Sequence, residues 1–350
     1  MNSAAVCVIG GGLIGGSIAL ALTKNTVPHF VLDIDSAANE ILFSKGDIQT
    51  KVDPDQVGIV FIAVAPNETV SSIKRALESF PNAIVADVSS VKGEISKNFL
   101  NHPDSHRYVS SHPMAGKEIS GASAADAKLF ADRVWIVCSN SNNRESAEQV
   151  KDLVSKFGAV PVDMNLVDHD FIMAVVSHLP QLISYELAEV AVESGGDLNV
   201  AGQGFRDMTR ISTSDPDLWT QILSVNKSHV KNVLDILINK LKSMSDALER
   251  SDAAKIFELL ENAQFAATKL PGKHGGKSSE FGVIKLRVKD EPGSLASLFT
   301  LAGEIDLNIE DVIIEHVLNR PLAVVTIMID KKEVNRAKKA FSSNGWDLRD

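Results

Sequence analysis

Short apolar runs alternate with helix-like stretches along residues 1–165. Seven of the runs have the length and composition of β-strands, and stretches such as 67–79 and 144–157 between them are typical of helices. Alternation of this kind predicts a parallel sheet covered by helices, an α/β domain over residues 1–165. The predicted strands are AVCVIG (5–10), HFVLDI (29–34), GIVFIAVA (58–65), AIVADVS (83–89), RYVSS (107–111), VWIVCS (134–139) and AVPVDM (159–164).

The pattern changes over residues 166–270, where strand-like runs vanish and helical periodicity takes over. Seven apolar residues follow the three-and-four spacing of one helix face. These residues are Val230, Val233, Leu234, Leu237, Leu241, Met244 and Leu248. We therefore predict an all-helical second domain, whose apolar faces could bury a partner subunit.

A linker rich in Gly and Ser, PGKHGGKSSE, occupies residues 271–280, and strand patterns return after it. The order of predicted elements is βαββα, with room for a last strand at the C terminus, so residues 281–350 are expected to form a small α+β domain. The elements are strands at 281–288, 309–316 and 322–329 and helices at 295–304 and 332–343.

Composition narrows the class of protein. A chain of 350 residues suggests two or three domains, and 44% apolar with 23% charged residues is an ordinary globular balance. The net charge of −10, without a long basic run, argues against nucleic acid as the main partner. It leaves room for an anionic substrate, since a pocket can be locally positive on an acidic protein.

The two cysteines and the uncharged N-terminal run bear on location. Cys7 and Cys138 each lie in an apolar run, so we expect buried free thiols in the reducing cytoplasm; neither has zinc-type spacing, and no metal site is predicted. Residues 4–22 carry no charge, but five glycines interrupt them and no basic residue precedes them. A strand, a glycine turn and a helix therefore explain this run better than a signal or membrane span, and no other membrane candidate is expected.

The glycine turn has the spacing of a dinucleotide site. Gly10, Gly12 and Gly15 complete G-x-G-x-x-G within IGGGLIGGS, with Leu13 and Ile14 between the last two. The first glycine permits a tight turn, the second lets the backbone approach a pyrophosphate, and the third lets helix and strand pack closely. The helix that follows offers free N–H groups to phosphate. We expect these five residues to bind a nicotinamide dinucleotide.

An acidic residue ends the second predicted strand. Asp33 lies 18 residues beyond Gly15, where a carboxylate can accept hydrogen bonds from a ribose hydroxyl and repel a 2′-phosphate. This position favours NAD over NADP, although NADP stays open. Asp35 is the alternative occupant of the same role.

Three further segments concentrate polar residues. DVSSVKGE (87–94) and SSHPMAGKE (110–118) follow the fourth and fifth strands, and GFRDMTRISTSDPDLW (204–219) lies in the helical region. Because ligands of open α/β sheets bind outside the carboxyl ends of the strands, the first two segments are expected to face the cofactor crevice.

At these segments the sequence resembles the prephenate/arogenate dehydrogenases. The resemblance runs through the glycine motif, DVSSVK, SSHPMAG, SHLP (177–180) and FRDMTRI…SDPDLW, over nearly all of residues 5–270. It implies a Rossmann domain followed by a helical dimerisation domain, hence a homodimer. It also implies oxidative decarboxylation, in which a cyclohexadienol loses hydride to NAD(P) and its ring carboxylate as CO2, in tyrosine biosynthesis.

The resemblance assigns the site residues. His112 matches the catalytic histidine, which accepts the hydroxyl proton as a neutral imidazole, so the acid limb of the rate profile is expected at a pKa of roughly 6–7. Ser90 matches a serine near the reacting hydroxyl. Arg210 matches the arginine that grips the ring carboxylate; a structural ion pair with Asp207 or Asp215 is its alternative role. Trp219, Glu118 and Asp207 match residues around the substrate.

One departure bears on specificity. Many family members read SHLPH where this chain reads SHLPQ, so His178 is kept and Gln181 replaces the second histidine. A neutral amide would not repel an ammonium group near the substrate side chain, whereas a protonated histidine would, which predicts that arogenate is accepted. The remaining histidines are predicted to be surface or loop residues: His29, His102, His106, His169, His229, His274 and His316.

Residues 288–316 resemble an ACT domain, with Asp290, Pro292, Gly293 and Leu295 forming its D-x-PG-x-L core. The resemblance implies an ACT-like regulatory domain over 281–350 that binds an aromatic amino acid, tyrosine above all. A dimerisation module without ligand is the alternative.

Two other functions share parts of this pattern. A β-hydroxyacid dehydrogenase would use the same architecture, but it usually relies on a lysine in the helical domain. A regulatory protein that binds dinucleotide and amino acid without catalysis would not need the histidine, serine and arginine together.

Overall fold

The seven predicted strands are confirmed and form one sheet in the computed structural model of the chain, which describes residues 5–46, 53–117, 119–270, 281–316 and 320–349. The spatial order is β2-β1-β3-β4-β5-β6-β7. The strands are β1 (Ala5–Ile9), β2 (His29–Leu32), β3 (Val57–Ile62), β4 (Ile84–Asp87), β5 (Tyr108–Pro113), β6 (Val134–Cys138) and β7 (Val160–Asp163).

The last two strands depart from the predicted parallel arrangement. β6 pairs with β5 in antiparallel register, His112 opposite Ile136, and β7 then runs parallel to β6. A parallel connection needs a crossover, usually an α-helix. The described residues between β5 and β6 contain only a short 3₁₀ turn at Ala122–Ala124, so the chain returns in the opposite direction.

Helices cover both faces of the sheet because successive strand residues point to opposite sides. Val6 and Val8 face one apolar cluster, and Ala5 and Cys7 face the other. The two cysteines are buried free thiols, as expected. The helices between the strands are α1 (Leu13–Lys24), α2 (Ser36–Lys45), α3 (Pro66–Ser79), α4 (Gly93–Lys97) and α5 (Arg144–Lys156).

No strand lies between residues 166 and 270, all of which are described, as the periodicity predicts. One π-helical turn, Ala174–His178, joins α6 to α7. The predicted apolar face of α10 is not uniform: Val230 and Val233 are buried, whereas Leu241 and Leu248 are exposed. The helices are α6 (Leu166–Met173), α7 (Leu179–Glu193), α8 (Gln203–Thr209), α9 (Pro216–Val225), α10 (Lys227–Glu249) and α11 (Ala253–Ala267).

The helical stretch Leu166–Glu193 is long and apolar enough to cross a membrane by length and composition. It was not among the membrane candidates expected from the sequence. Three of its polar residues, His169, Asp170 and His178, are buried inside the protein and hydrogen-bonded there. These residues therefore anchor the stretch to the rest of the protein.

The chain divides into two units, Met1–Glu189 with Thr209–Leu237, and Val190–Met208 with Ile238–Asp350. The boundaries predicted at 1–165, 166–270 and 281–350 stay a prediction, and the linker at 271–280 lies outside the described residues. Within the second unit, six elements form the order βαββαβ, which includes the last strand. They are β8 (Phe281–Lys289), α12 (Ser294–Glu304), β9 (Asp311–His316), β10 (Leu322–Asp330), α13 (Val334–Ser343) and β11 (Asp347–Arg349).

The sheet of the second unit is antiparallel throughout, in the order β11-β8-β10-β9. Its buried side chains, among them Ile284, Leu286 and Ile327, pack against the two helices. Phe341 of α13 meets Trp346 edge to face, with 6.2 Å between ring centroids. This is the ferredoxin-like arrangement of two helices on one side of a four-stranded sheet.

Candidate functional site

The glycine turn after β1 is built as the motif predicts. Gly10 has φ +99°, a conformation that glycine adopts without strain. A Cβ on Gly15 would lie 1.8 Å from the carbonyl oxygen of Gly10, so only glycine lets α1 pack this closely. A Cβ on Gly12 would meet nothing within 4 Å, which leaves open space in front of the first turn of α1.

Asp33 and Asp35 take different places beside this turn. The carboxylate of Asp33 accepts the backbone N–H of Gly11 and, at 2.8 Å, that of Asp35. The carboxylate of Asp35 caps α2 by accepting the backbone N–H of Ala37 at 2.9 Å. Asp33 therefore lies against the glycine turn, whereas Asp35 serves the helix that follows.

A cleft of about 1010 Å³ opens in front of the turn, large enough for the nucleoside half of a dinucleotide. Backbone N–H groups at the start of α1 and the Asp33 carboxylate are the donors and acceptors that a pyrophosphate and a ribose need. The residue set thus fits a dinucleotide. The residues lining the cleft include Gly10, Gly12, Asp33, Asn39, Phe43, Ala63, Ser72 and Arg75.

His112 lies near the end of β5 and is only 9% exposed. Its Nδ1 is 3.1 Å from Nε2 of His169, and Nδ1 of His169 is 2.8 Å from Oδ1 of Asp170. Asp170 also accepts the backbone N–H groups of Lys92 and Gly93, each at 2.8 Å. Three titratable side chains from β5 and α6 therefore form one hydrogen-bonded chain.

Burial keeps this histidine neutral. Loss of solvent lowers the pKa of His112 well below its ordinary value, and the charges of His169 and Lys92 lower it further. The ordinary imidazole pKa expected from the sequence is therefore too high. Burial would raise the pKa of Asp170, but hydrogen bonds from His169, Gly93 and Lys92 hold it below its usual value. At neutral pH the structure presents a neutral His112 and an ionised Asp170.

Lys92 and Asp87 form a buried ion pair at the end of β4. Lys92 and Asp87 are both fully buried, and the Lys92 ammonium donates to Oδ1 of Asp87. Tyr108 donates its hydroxyl proton to Oδ2 of Asp87 at 2.7 Å, and the backbone N–H of Ser89 donates to Oδ1 at 3.0 Å. The carboxylate is thus saturated with donors, as a buried charge requires. Ser90, between Ser89 and Lys92 in the sequence, is half-buried.

His178, at the end of the π turn, is 1% exposed. Burial lowers the pKa of His178 to about 4. Asn226 donates from Nδ2 to the backbone carbonyl of Asp170 at 2.7 Å and contacts Nδ1 of His178 at 3.1 Å. The ring of His178 meets Trp219 edge to face at 5.9 Å between centroids. The low pKa of His178 keeps its ring neutral at neutral pH, and this neutral ring packs against Trp219.

Arg210 and Gln181, two of the remaining predicted residues, differ in their burial. Arg210 is exposed and lines a pocket of about 510 Å³ together with Met114–Lys117, the segment that follows His112. Gln181 is buried and donates from Nε2 to the carbonyl of Ile211 at 2.7 Å, next to Arg210 in the chain.

For two residues, Asp207 and Glu118, the predicted place near the substrate stays a prediction. Asp207 is exposed, belongs to the second unit and accepts from Gln203 at 2.8 Å. Glu118 lies outside the described residues. Asp215, considered as an ion partner of Arg210, caps α9 by accepting the N–H of Asp217 at 2.9 Å.

The prediction that the other histidines are surface or loop residues is wrong for two of them. His169 is fully buried and His29 is 2% exposed. Sequence reasoning also missed Asp170, Lys92 and Asn226 as parts of the cluster. A signal did exist: His169 and Asp170 interrupt an otherwise apolar helical run, where a buried polar pair needs partners.

Comparison with known proteins agrees with this geometry. The family model "Prephenate dehydrogenase, nucleotide-binding domain" matches residues 18–163, and "Prephenate dehydrogenase, dimerization domain" matches residues 167–262. A cyclohexadienyl dehydrogenase of Zymomonas mobilis is 30% identical over 288 residues, covering 77% of this chain and 97% of that protein. A prephenate dehydrogenase of Bacillus subtilis is 27% identical over 323 residues, covering 88% of this chain and 87% of that protein.

Two solved structures share the fold. Prephenate dehydrogenase from Aquifex aeolicus, in complex with hydroxyphenyl propionate and NAD+, superposes with a TM-score of 0.66 at 24% identity, covering 76% of this chain and 98% of that one. Synechocystis arogenate dehydrogenase gives a TM-score of 0.62 at 21% identity, covering 76% and 99%.

Proposed function

The chain belongs to the prephenate/arogenate dehydrogenase family, and from this membership we propose that it oxidises and decarboxylates arogenate, prephenate or both in tyrosine biosynthesis. It is an NAD-dependent dehydrogenase. The observation that carries the proposal is His112, a buried neutral histidine beside the dinucleotide fold, at the end of a strand where ligands of such sheets bind.

NAD, when bound, accepts the hydride. Residues of this chain would hold it: the turn of Gly10, Gly12 and Gly15, with Leu13 and Ile14 at the start of α1, would receive the pyrophosphate. The Asp33 carboxylate would accept a ribose hydroxyl. Its negative charge at this place favours the cofactor that carries no 2′-phosphate.

His112 would act as the base. As hydride leaves the carbon that bears the hydroxyl, the O–H proton must go to an acceptor, and a neutral imidazole provides the lone pair. Ser90, half-buried after β4, would hydrogen-bond near the same hydroxyl. Loss of CO2 then makes the ring aromatic, which drives the reaction.

Arg210 would hold the ring carboxylate through two parallel hydrogen bonds. Its support is its place in one pocket with the segment that follows His112. His178 and Trp219 would line the ring, while Glu118 would help close the site. Gln181 ties α7 to the turn that carries Arg210, through the carbonyl of Ile211.

Substrate choice is proposed to follow from Gln181. Arogenate carries an ammonium group on its side chain where prephenate carries a keto group. A neutral amide at this position does not repel the ammonium group, so arogenate is accepted.

Initial rates with arogenate or prephenate, each with NAD or NADP, test the proposal. We expect turnover, with NAD ahead of NADP and with arogenate used. At a pH low enough to protonate the introduced imidazole, which burial of this position places below the ordinary imidazole range, Gln181→His should lower the specificity constant for arogenate relative to prephenate by about tenfold, the effect of roughly one like-charge contact in partly aqueous surroundings. Silence of the folded protein in all four combinations would refute the dehydrogenase, and an unchanged ratio in Gln181→His would refute the role of Gln181.

We also propose that the protein is a cytoplasmic homodimer. Support comes from large apolar side chains that a single chain leaves exposed on the helices of the second unit, an arrangement typical of a surface covered by a partner. They are Leu241 and Leu248 on α10 and Phe257, Leu260 and Phe265 on α11.

The βαββαβ unit is proposed to be an ACT-like regulatory domain that binds an aromatic amino acid. It is supported by the D-x-PG-x-L residues at the turn from β8 to α12 and by Gly293, which has φ +91° and where an added Cβ would meet nothing within 4 Å. A ligand could therefore approach the backbone closely at this turn.

Calorimetry with tyrosine, phenylalanine and tryptophan on the full-length protein tests whether an aromatic amino acid binds. We expect heat of binding for tyrosine, and loss of that heat in Gly293→Ala. Gly345→Ala is the matched control, since Gly345 has φ +82° and equally open surroundings in the same unit, and both changes cost about 1–2 kcal/mol of backbone strain. No heat with any of the three amino acids would remove the effector proposal.

A further inference from the structure

We propose that His169 and Asp170 are positioning residues that hold His112 in the tautomer whose Nε2 carries the lone pair, and that His169 shares the proton charge once His112 has accepted it. The inference rests on the proposed role of His112 as the base. It adds two residues of the helical region to a reaction centre built on β5.

Asp170 is the fixed end of the hydrogen-bonded chain that runs from His112 through His169. Its Oδ1 accepts the backbone N–H of Lys92 and its Oδ2 that of Gly93, both at 2.8 Å. Two backbone donors hold the carboxylate plane in place and favour its ionised form. An ionised carboxylate only accepts hydrogen bonds, so the contact at 2.8 Å from Nδ1 of His169 places a proton on that nitrogen.

The tautomer of His112 follows from this. A neutral His169 that is protonated on Nδ1 has its lone pair on Nε2, and that atom faces Nδ1 of His112 at 3.1 Å. The hydrogen between the two rings therefore belongs to His112. With its proton on Nδ1, a neutral His112 has its lone pair on Nε2, the nitrogen that is left to face a substrate hydroxyl.

The charges around His112 explain why a second histidine is useful. Lys92, from the loop after β4, disfavours a positive charge on the ring, and His169 and His178 do so when they are charged. Asp170 is the group that favours it. An imidazolium at His112 is thus poorly stabilised unless its charge moves toward Asp170.

The proton from the substrate hydroxyl can be followed bond by bond along the hydrogen-bonded chain from His112 to Asp170. The substrate O–H bond breaks and an H–Nε2 bond forms on His112. The proton on Nδ1 of His112 then moves toward Nε2 of His169, whose Nδ1–H already donates to Asp170. One proton enters at His112, and the charge ends beside a carboxylate, at the buried end of the chain.

Two substitutions of His169 separate positioning from charge sharing. In His169→Gln the amide oxygen can still accept from Nδ1 of His112, so the tautomer is kept but no proton can be taken up. In His169→Leu neither function remains. With the better substrate, we expect kcat to fall about tenfold in His169→Gln and on the order of 10³-fold in His169→Leu, less than the loss of about 10⁴-fold seen when a catalytic histidine is left in the wrong tautomer. KM and NAD affinity should stay within about threefold.

The pH profile distinguishes positioning from mere packing. Replacing His169 by Gln removes the ring that takes over the proton charge, so an imidazolium at His112 is left beside Lys92 and the acid limb of kcat should move to lower pH. Asp170→Asn removes the raising charge, so the acid limb should move to lower pH. His29→Gln is the matched control: His29 is also buried in the first unit and contacts the carbonyl of Val27 at 2.8 Å, away from this chain. It should lower the melting temperature without moving the pH profile.

The outcomes are separable. A wild-type protein that is active, with a His169→Leu variant within about threefold of its kcat and an unmoved acid limb in His169→Gln, overturns this inference and leaves the proposed function standing. A folded wild-type protein that is inactive with both substrates overturns both. If His169→Leu does not fold, His169→Gln decides alone: a lower kcat with an acid limb at lower pH supports the inference, and an acid limb that is unchanged or at higher pH overturns it.

Discussion

Replacing His112 with Asn is expected to lower kcat on the order of 10³-fold, the usual contribution of a positioned general base. The amide nitrogen of Asn can take over the hydrogen bond that Nδ1 of His112 gives to His169, so the surroundings should survive. What is lost is Nε2, the acceptor of the substrate proton. NAD affinity, measured by fluorescence titration, should change little because the glycine turn is untouched.

His102→Asn is the matched control for this substitution. His102 lies in the loop before β5, where its Nδ1 accepts the backbone N–H of Asp104 at 3.2 Å. The control should keep full turnover. If His112→Asn itself kept near-normal turnover, the proton acceptor would have to be another group.

The pH profile of the wild-type protein also tests His112 as the proton acceptor. The base works only when it is deprotonated, and burial and nearby charges hold the pKa of His112 well below 6.5. Activity should therefore persist as the pH falls through 6.5 and decline only at lower pH. An acid limb at or above the ordinary imidazole pKa would point to a different titrating group.

Local pattern was sufficient to predict the sheet and the turn. Seven apolar runs correspond to seven strands, and the spacing of Gly10, Gly12 and Gly15 predicts the geometry of the helix start, because both depend on residues close together in the sequence. The reversed direction of β6 and β7 was not predicted. It depends on what connects β5 to β6, and an irregular segment leaves no periodic pattern to detect.

The polar interior was the part that sequence reasoning could not assemble. His169 meets His112 across 57 positions of sequence, and Asp170 meets the backbone of Lys92 across 78. The apolar run around His169 and Asp170 indicates a buried polar pair but does not identify its partners. Only the packing of α6 against the loop after β4 does so, and the same packing buries Lys92 against Asp87. Contacts of this range are set by the fold as a whole.

The glycine turn gives a second prediction with a large effect, since two similar substitutions should fail in different ways. In Gly15→Ala the new Cβ would lie 1.8 Å from the carbonyl oxygen of Gly10, and neither backbone can move without shifting α1 from the sheet. We expect a loss of stability of at least about 1–3 kcal/mol, the usual effect of overpacking, seen as a lower melting temperature.

Gly12→Ala should leave the fold intact. Gly12 has φ −66°, which alanine adopts readily, and its Cβ would meet nothing within 4 Å. The melting temperature should stay the same or rise slightly, because alanine reduces the entropy of the unfolded chain. The methyl group would instead occupy the space through which a pyrophosphate reaches the N–H groups of α1, so NAD affinity should fall by more than about tenfold, the effect of losing one or two hydrogen bonds to a charged group.

Each variant has an outcome that contradicts its assignment. Normal NAD binding in a folded Gly12→Ala protein would mean that the dinucleotide does not approach the backbone here. A stable Gly15→Ala protein would mean that α1 can move away from Gly10. The pair thus tests separately whether the turn is built for packing or for the cofactor, and the structure predicts that Gly15 serves the first purpose and Gly12 the second.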